Sequence, residues 1–205
     1  MAIINKGFEG KGGNHPRRLP PGQTETIQWP VLTYGPTPKI DLKKWSLTID
    51  GAVNTPITLN WEEFNKLTKT QLATDIHCVT RWSKLGMIWD GVSIDDLIGL
   101  AGGLTKDAQF LVAETVEGYT TNAPVRDVIN NQAMVATHAG DEPLTPEHGG
   151  PARLFIPHLY FWKSAKWIQR LTFTPKDHPG FWEVNGYHNY GDPWKEERYS
   201  DYQGW

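Results

Sequence analysis

Alternating apolar and polar residues predict β-strands along much of the chain. Residues 45–50 and 168–173 alternate with a period of two, which is the pattern of a strand with one buried face. Short apolar-rich runs predict further strands, and these cover residues 72–78, 109–113, 119–122, 134–137 and 153–156. The strand over 72–78 would place its last residue, Cys78, at a strand end, where loops build binding sites.

Helical spacing is found only in short segments. Residues 61–67 carry apolar side chains at helical spacing and predict a short helix. Ser93, with Asp96 three residues later, is the pattern of a helix N-cap and capping box, and Gly102 predicts the end of that helix. A third short helix is expected near residues 125–129. Because the chain also contains 20 Gly and 15 Pro, many turns and few long helices are expected.

The composition is that of a globular protein with one large domain. Of its 205 residues, 39% are hydrophobic and 21% are charged, so the chain can bury a sizeable core. A net charge of −3 without a basic tail argues against nucleic-acid binding. No stretch approaches the ~18 consecutive apolar residues of a membrane span. No apolar run follows Arg17 and Arg18 as in an export signal, so we expect a cytoplasmic protein.

Three regions are expected within this domain. Residues 1–30 are polar and rich in Gly and Pro, which predicts an extended N-terminal arm. Residues 31–178 are expected to form the core of the domain. Residues 179–205 lack periodicity but are rich in Trp and Tyr, unlike disordered tails. We expect this C-terminal segment to pack on the same domain as a lid over the site.

Cys78 is the single cysteine of the chain. A lone thiol excludes intrachain disulfides, iron–sulfur clusters and zinc sites built from cysteine pairs. No acid occurs between Asp75 and Asp90, whereas Arg81 and Lys84 do. Positive neighbours favour the thiolate that a metal ligand or a nucleophile requires. The alternative is a buried, inert thiol that fills the core.

A cationic block between Glu147 and Asp177 is the second candidate feature. No carboxylate occurs between these two residues, but several cations do: Arg153, Lys163, Lys166, Arg170 and Lys176. Residues 161–167 interleave cations, a hydroxyl and flat rings, a mixture that suits an anionic group attached to a heteroaromatic ring. The alternative is a solvated surface.

Other catalytic motifs are absent or weak. The sequence has no glycine-rich dinucleotide or phosphate loop, no His-Glu-x-x-His and no haem-attachment motif. His77 adjoins Cys78, but neighbours on a strand point to opposite faces. A thiol-dependent hydrolase would therefore need a distant histidine such as His148 or His158. Zinc bound by Cys78 and several histidines is a further alternative, as is a non-redox module whose aromatic residues stack on sugars or peptides.

An ordered series of motifs resembles the sulfite-oxidase-like family of molybdopterin-dependent oxidoreductases. The similar segments lie between about Leu19 and Tyr199 and comprise residues 77–83, 89–92, 118–122, 147–154, 163–167, 179–183 and 186–188. The resemblance implies a one-domain α+β protein of the sulfite-oxidase type, with mixed short strands in several sheets and few short helices. It also implies a mononuclear molybdenum–molybdopterin cofactor and oxygen-atom transfer.

The resemblance also implies roles for individual residues. The Cys78 sulfur would bind molybdenum, and Arg81 nearby is a candidate for attracting an anionic substrate. The positions that match cofactor contacts in the family are Tyr34, His77, Thr115, His148, Arg153, Lys163, Ser164 and Lys166. The cationic block would thus hold the phosphate end of the pterin, and Cys78 would hold the metal end.

Two positions depart from the family pattern. Trp82 stands at the fourth position after Cys78, near which sulfite oxidases have consecutive arginines, so the chain is closer to the bacterial protein-methionine-sulfoxide reductase subunit. This favours reduction of an S- or N-oxide over oxidation of sulfite. Phe161 stands where relatives commonly have Gly. Since the chain carries no haem, flavin or nicotinamide motif, a separate electron-transfer partner is expected.

Overall fold

Short β-strands make up most of the fold. The structure is a computed structural model that describes residues 3–4 and 19–200. In chain order its strands and helices are β1 (Ile3–Ile4), β2 (Thr24–Glu25), β3 (Ser46–Gly51), β4 (Ile57–Asn60), α1 (Trp61–Asn65), β5 (Thr70–His77), β6 (Trp82–Ser93), α2 (Ile94–Leu100), β7 (Phe110–Thr115), β8 (Thr120–Pro124), β9 (Met134–Ala139), β10 (Glu142–Pro143), β11 (Arg153–Phe155), β12 (Ile168–Thr174) and α3 (Phe181–Val184). Single 3-10 turns occur at Val125–Asp127, Pro146–His148, Phe161–Lys163 and Pro193–Lys195.

The strands form two mixed sheets. The first sheet has the order β1-β5-β6-β9-β10, with β2 also paired to β6 and β11 paired to β9. Its central strand, β6, runs antiparallel to both β5 and β9, whereas β1 and β2 pair in parallel with their partners. The second sheet has the order β4-β3-β12-β7-β8, in which β12 runs parallel to β3 and antiparallel to β7.

Apolar side chains from both sheets meet in one main core. On β3, Leu47 and Ile49 are fully buried while the residues between and beside them are partly exposed. This is the period-two burial of a strand with one packed face. The same core receives Leu171 from β12 and, from the first sheet, Val92 and Val135. The two sheets are therefore joined by a continuous apolar layer.

A second apolar cluster lies on the opposite face of the first sheet. Met134 and Ala136 of β9 belong to it, whereas Val135 between them belongs to the main core. Its largest side chain is Trp89, which is fully buried and stacks on Phe155 with ring centroids 4.0 Å apart. The first sheet is thus covered on both faces.

The predicted helices are present but short. The first predicted helix is α1, which begins with a capping box between Asn60 and Glu63. Ser93 caps α2 as predicted, because its hydroxyl accepts a hydrogen bond from the Asp96 N–H. The helix predicted near residues 125–129 is a single 3-10 turn.

The strand predictions are confirmed at every predicted position, with shifted ends. The short strands β1, β2, β4 and β10 were missed, and so was the longest strand, β6. This 12-residue strand pairs along both edges, and its registers with β5 and β9 each contain a shift. Such bulges interrupt the alternation that identifies a strand from its sequence. The central strand is therefore determined by its partners rather than by its own pattern.

The division into an arm, a core and a C-terminal segment stays a prediction. Residues 1–18 other than β1, and residues 201–205, lie outside the described residues. Within the described part, α3 packs against β8 and the side chain of Arg198 is buried. None of the helices within residues 3–4 and 19–200 is long and apolar enough to span a membrane.

We predict that Gly91 of β6 cannot be replaced by alanine without loss of stability. A Cβ there would lie 2.6 Å from the Ala136 Cα of β9, and backbone cannot move aside cheaply. Overpacking of this kind costs about 1–3 kcal/mol of unfolding free energy, which urea unfolding measures. Gly99 of α2, where a Cβ would meet nothing within 4 Å, provides the matched control. Gly99→Ala should stabilise by up to about 1 kcal/mol, and equal effects of the two substitutions would contradict the prediction.

Candidate functional site

Cys78 follows the last residue of β5 and begins a tight turn into β6. The Cys78 N–H donates to the Trp82 carbonyl oxygen (2.9 Å), and the Arg81 N–H donates to the Cys78 carbonyl oxygen (3.1 Å). Arg81 adopts the left-handed backbone conformation, with φ of 74°, that such a sharp reversal requires. The prediction that Cys78 stands at a strand end is confirmed.

The Cys78 side chain lies on the wall of a cavity of about 290 Å³. That volume is at the lower end of the range typical of small-molecule sites. The predicted site residues that line the cavity are Tyr34, Cys78, Thr115, His148, Arg153, Ser164 and Lys166. Much of the remaining lining is aromatic and comprises Trp29, Trp82, Tyr119, Phe161, Trp162, Trp167, Trp182 and Tyr187. Chain segments far apart in sequence thus contribute to one site.

Arg153 is a buried cation on this cavity wall. Its guanidinium donates to the carbonyl oxygens of His148 (2.8 Å) and Ser164. Its buried Nε has no hydrogen-bond partner, and none of the ion pairs among the described residues includes Arg153. Burial lowers the pKa of Arg153 to about 9. Because an unpaired buried charge is costly, the site suits an anion.

Lys166 brings a second positive charge to the same wall. Its Nζ donates to the carbonyl oxygens of Leu32 (2.8 Å) and Glu147 (2.6 Å). Burial, together with the charge of Arg153, lowers the pKa of Lys166 to about 8. Gly149 allows the two cations to approach, since a Cβ there would lie 3.0 Å from the Lys166 Cβ and 3.1 Å from the Arg153 Cβ. Positive potential is therefore concentrated on one side of the cavity.

Residues 29–34 close another side of the cavity. The Trp29 ring stacks on His148, with ring centroids 3.7 Å apart, and the His148 Nε2 lies 3.2 Å from the Trp29 carbonyl oxygen. Burial lowers the pKa of His148, which favours a neutral ring that donates from Nε2. Tyr34 contacts Phe181 of α3 at 4.4 Å between centroids. Only Tyr34 of this segment was predicted, because the segment has no periodicity and is remote in sequence from the other site residues.

Two hydroxyl groups of the lining are held by backbone donors. The Ser164 Oγ accepts a hydrogen bond from the Ile156 N–H (2.9 Å), and the Thr115 Oγ1 accepts one from the Tyr119 N–H (3.1 Å). Accepting from the backbone leaves each hydroxyl with its own proton to donate. Each hydroxyl can therefore donate a hydrogen bond to a ligand.

Aromatic rings surround the thiol itself. Trp82, Trp162 and Tyr187 pack against the small cluster that contains Cys78. The Trp162 and Tyr187 rings meet edge to face, with centroids 4.9 Å apart. Flat apolar surfaces of this kind accommodate planar rings or apolar substituents rather than hydrated ions.

The side chains of three predicted site residues lie elsewhere. His77 does not line the cavity, and burial lowers its pKa to about 4. Arg81 is exposed at the surface, with its Nη1 3.7 Å from the Glu196 Oε1. Lys163 is fully buried in an ion pair with Glu183. Roles for these three residues toward cofactor or substrate stay predictions.

Burial raises the pKa of the Cys78 thiol. The hydrogen bond with the Thr80 hydroxyl (3.1 Å) and the nearby charge of Arg198 act in the opposite direction but do not outweigh burial. The expectation that Arg81 and Lys84 favour the thiolate is therefore wrong. Arg81 faces the surface, and the Lys84 ammonium donates to a backbone carbonyl oxygen. A bound metal ion would itself supply the charge that deprotonates the thiol.

The donor set fits a metal ion that brings most of its own ligands. Within the described part of the chain, no group of three or more His, Cys, Asp or Glu is arranged to hold a metal ion. This counts against zinc bound by Cys78 and histidines. Cys78 would give one soft sulfur ligand to a metal whose other ligands come from a pterin dithiolene, and Arg153 and Lys166 would bind the pterin phosphate. The residues present therefore fit a molybdenum–molybdopterin group.

The cavity combines one thiol, two cations and many aromatic rings, which suits a protein that binds a metal together with an anionic organic group. Residues 34–182 match the model of a family described as the oxidoreductase molybdopterin binding domain. The chain belongs to this family. It is an oxidoreductase of the sulfite oxidase family, and its cofactor is molybdenum–molybdopterin. The predictions of family, fold class and cofactor are confirmed.

Individual relatives agree with this assignment. The chain is 44% identical over 184 residues to the uncharacterized oxidoreductase YuiH of Bacillus subtilis. This alignment covers 89% of this chain and 92% of the relative. It is 25% identical over 166 residues to the protein-methionine-sulfoxide reductase catalytic subunit MsrP of Campylobacter jejuni, covering 73% of this chain and 55% of the relative. The sulfane dehydrogenase SoxCD from Paracoccus pantotrophus superposes with a TM-score of 0.62 at 23% identity, covering 68% of this chain and 40% of the other. The last likeness shows the fold alone.

We predict that the Cys78 thiol of the cofactor-free protein reacts slowly with a thiol reagent at neutral pH. The residue is 7% exposed, and its raised pKa leaves less thiolate than in a free cysteine. Iodoacetamide labelling followed by mass spectrometry should be at least about tenfold slower than in urea-unfolded protein, and the rate should rise with pH. Equal rates in the folded and unfolded states would contradict this expectation.

Proposed function

We propose that this protein transfers an oxygen atom with its molybdenum cofactor, and that it reduces an S- or N-oxide rather than oxidising sulfite. The observation that carries the proposal is the presence of the Cys78 thiol and two cations, Arg153 and Lys166, on the wall of one cavity. Neither cation forms an ion pair with a described acid. When bound, the cofactor supplies the two-electron chemistry of oxygen-atom transfer.

The residues that would hold the cofactor fall into three groups, which would bind the metal, the phosphate and the pterin. Cys78 would bind the metal through its sulfur. Arg153 and Lys166 would bind the phosphate end, where their charges are compensated. The lining residues that remain as neutral contacts for the pterin are Tyr34, Thr115, His148 and Ser164.

The surroundings of Cys78 favour a neutral substrate. Trp82, Trp162 and Tyr187 pack around it, whereas Arg81 turns to the surface instead of lining the cavity. Aromatic surfaces attract sulfur and small apolar groups, but they do not replace the hydration of a small dianion such as sulfite. The relative named as a methionine-sulfoxide reductase subunit supports the same direction of reaction.

Reduction of an oxide consumes two electrons and two protons, breaks the bond between oxygen and sulfur or nitrogen, and releases water. Tyr187 lies on the cavity wall beside Cys78, where its hydroxyl can donate a hydrogen bond to the substrate oxygen. Burial raises the pKa of Tyr187, so this hydroxyl keeps its proton at neutral pH.

Because the chain has no haem, flavin or nicotinamide motif, the electrons would come from a separate partner, which we place in the cytoplasm.

We predict that the molybdenum-loaded protein reduces dimethyl sulfoxide or trimethylamine N-oxide with reduced methyl viologen as electron donor. Sulfite oxidation, measured with ferricyanide, should be at least about tenfold slower per molybdenum, because aromatic rings pack around the thiol and Arg81 faces the surface. Cys78→Ser, which exchanges a soft ligand for a hard one, should lose both molybdenum and activity. Faster oxidation of sulfite than reduction of either oxide would contradict the proposed direction.

Lys166→Met should weaken cofactor binding without unfolding the protein. Loss of one charged donor to a phosphate costs about 1.5–3 kcal/mol, which is at least about a tenfold loss of affinity. Lys106→Met is the matched control, because Lys106 is exposed and outside the cavity lining. Molybdenum per protein, measured by inductively coupled plasma mass spectrometry after reconstitution with limiting cofactor, tests the pair. Equal molybdenum occupancy in the two variants would contradict a role of Lys166 in binding the phosphate.

A further inference from the structure

A fully buried ion pair, formed by Lys163 and Glu183, stands outside the cavity lining. The Lys163 Nζ is 2.6 Å from the Glu183 Oε1, and both side chains are 0% exposed. Desolvating two opposite charges costs several kcal/mol per ion and often adds no net stability over an apolar pair. The presence of this pair therefore points to a role other than stability.

The Glu183 carboxylate also holds the indole of Trp162. Its Oε1, which faces Lys163, accepts hydrogen bonds from the Trp162 Nε1–H (2.9 Å) and from the Thr121 hydroxyl (2.9 Å). Lys163 directly follows Trp162 in a 3-10 turn, and its ammonium also donates to carbonyl oxygens of two other segments. The ion pair thus ties this turn to β8 and to the C-terminal segment.

Contacts on several sides fix the position of the Trp162 ring. Its face stacks on Tyr160 with centroids 5.3 Å apart, and its other neighbour is the edge-to-face ring of Tyr187. A Cβ at Gly191 would come within 2.8 Å of the Trp162 Cζ2, so the backbone also touches the ring. The ring lines the cavity and packs near Cys78. Its orientation therefore determines the space left beside the thiol.

We propose that Glu183, with Lys163 as its counter-charge, is a positioning residue for the oxide substrate. Through the indole N–H the carboxylate orients Trp162, and the ring in turn sets the size of the substrate space beside Cys78. The statement about substrate rests on the proposed function, whereas the statement about the orientation of the indole does not. A residue predicted from the sequence as a phosphate contact, Lys163, thereby acts on the site through its partner.

Two double variants separate positioning from a general effect on stability. Lys163→Met/Glu183→Leu removes the ion pair together with the acceptor of the indole N–H. Lys163→Met/Glu183→Gln removes the same charges but keeps an amide oxygen as acceptor. Any effect of the lost ion pair on folding is common to both variants. If the hydrogen bond from the indole N–H positions the Trp162 ring, the two double variants should differ in indole exchange and in KM.

The first readout is hydrogen exchange of the Trp162 indole N–H, followed by nuclear magnetic resonance in protein with isotope-labelled tryptophan. Trp162→Phe assigns the signal. Exchange should be at least about tenfold faster in the double variant with Glu183→Leu than in the one with Glu183→Gln. The second readout is steady-state kinetics with the better of the two oxides. KM should rise about tenfold with Glu183→Leu while kcat stays within about twofold, and Glu183→Gln should restore KM.

Equal indole exchange and equal KM in the two double variants would overturn the proposal. Failure of the wild-type protein to reduce either oxide would instead overturn the proposed function, and indole exchange would still decide whether Glu183 orients the ring. If neither double variant folds, the KM of Trp162→Phe tests the proposal instead, because this variant keeps an aromatic ring and removes the N–H donor. An unchanged KM in Trp162→Phe would then overturn the proposal, and an increase would support it.

Discussion

Arg153 and Lys166 place two positive charges on the wall that also carries Cys78, and no described carboxylate forms an ion pair with either charge. Carbonyl oxygens solvate them only in part, and the Arg153 Nε is buried without a hydrogen-bond partner. Because a buried charge without a counter-ion is unfavourable, the buried Arg153 and the partly buried Lys166 favour an anion in the cavity. A cofactor with a phosphate at one end and a thiolate-bound metal at the other meets this requirement.

The position of the cavity follows from how the chain passes between the two sheets. The turn from β5 to β6 in the first sheet presents the thiol. β11 lies in the first sheet and β12 in the second, so residues 156–167 connect them. That connection carries Phe161, Trp162, Ser164 and Lys166, which all line the cavity. The site therefore combines the end of one sheet with the crossing to the other.

Two lysines of the cationic block differ in their ion pairing. Lys166 faces carbonyl oxygens and the cavity, whereas Lys163, three residues earlier, is paired with Glu183 and directs its ammonium away from the lining. The two lysines look alike in sequence, since both stand among aromatic residues. Their difference arises from α3, which brings a carboxylate to one lysine and not to the other.

Most local elements and the types of reactive side chain could be predicted from the sequence. Alternating apolar and polar residues identified strands such as β3 and β12, and the Ser93 cap marked α2. The ordered motifs around Cys78 and Arg153 indicated the family and its cofactor. The reason is that these features depend on neighbours in the chain. Four features became evident only in the folded chain: the strand β6, the contribution of residues 29–34, the partner of Lys163 and the raised pKa of Cys78. Each of these depends on burial and on groups brought from distant segments, and no local pattern records how much water a folded chain excludes.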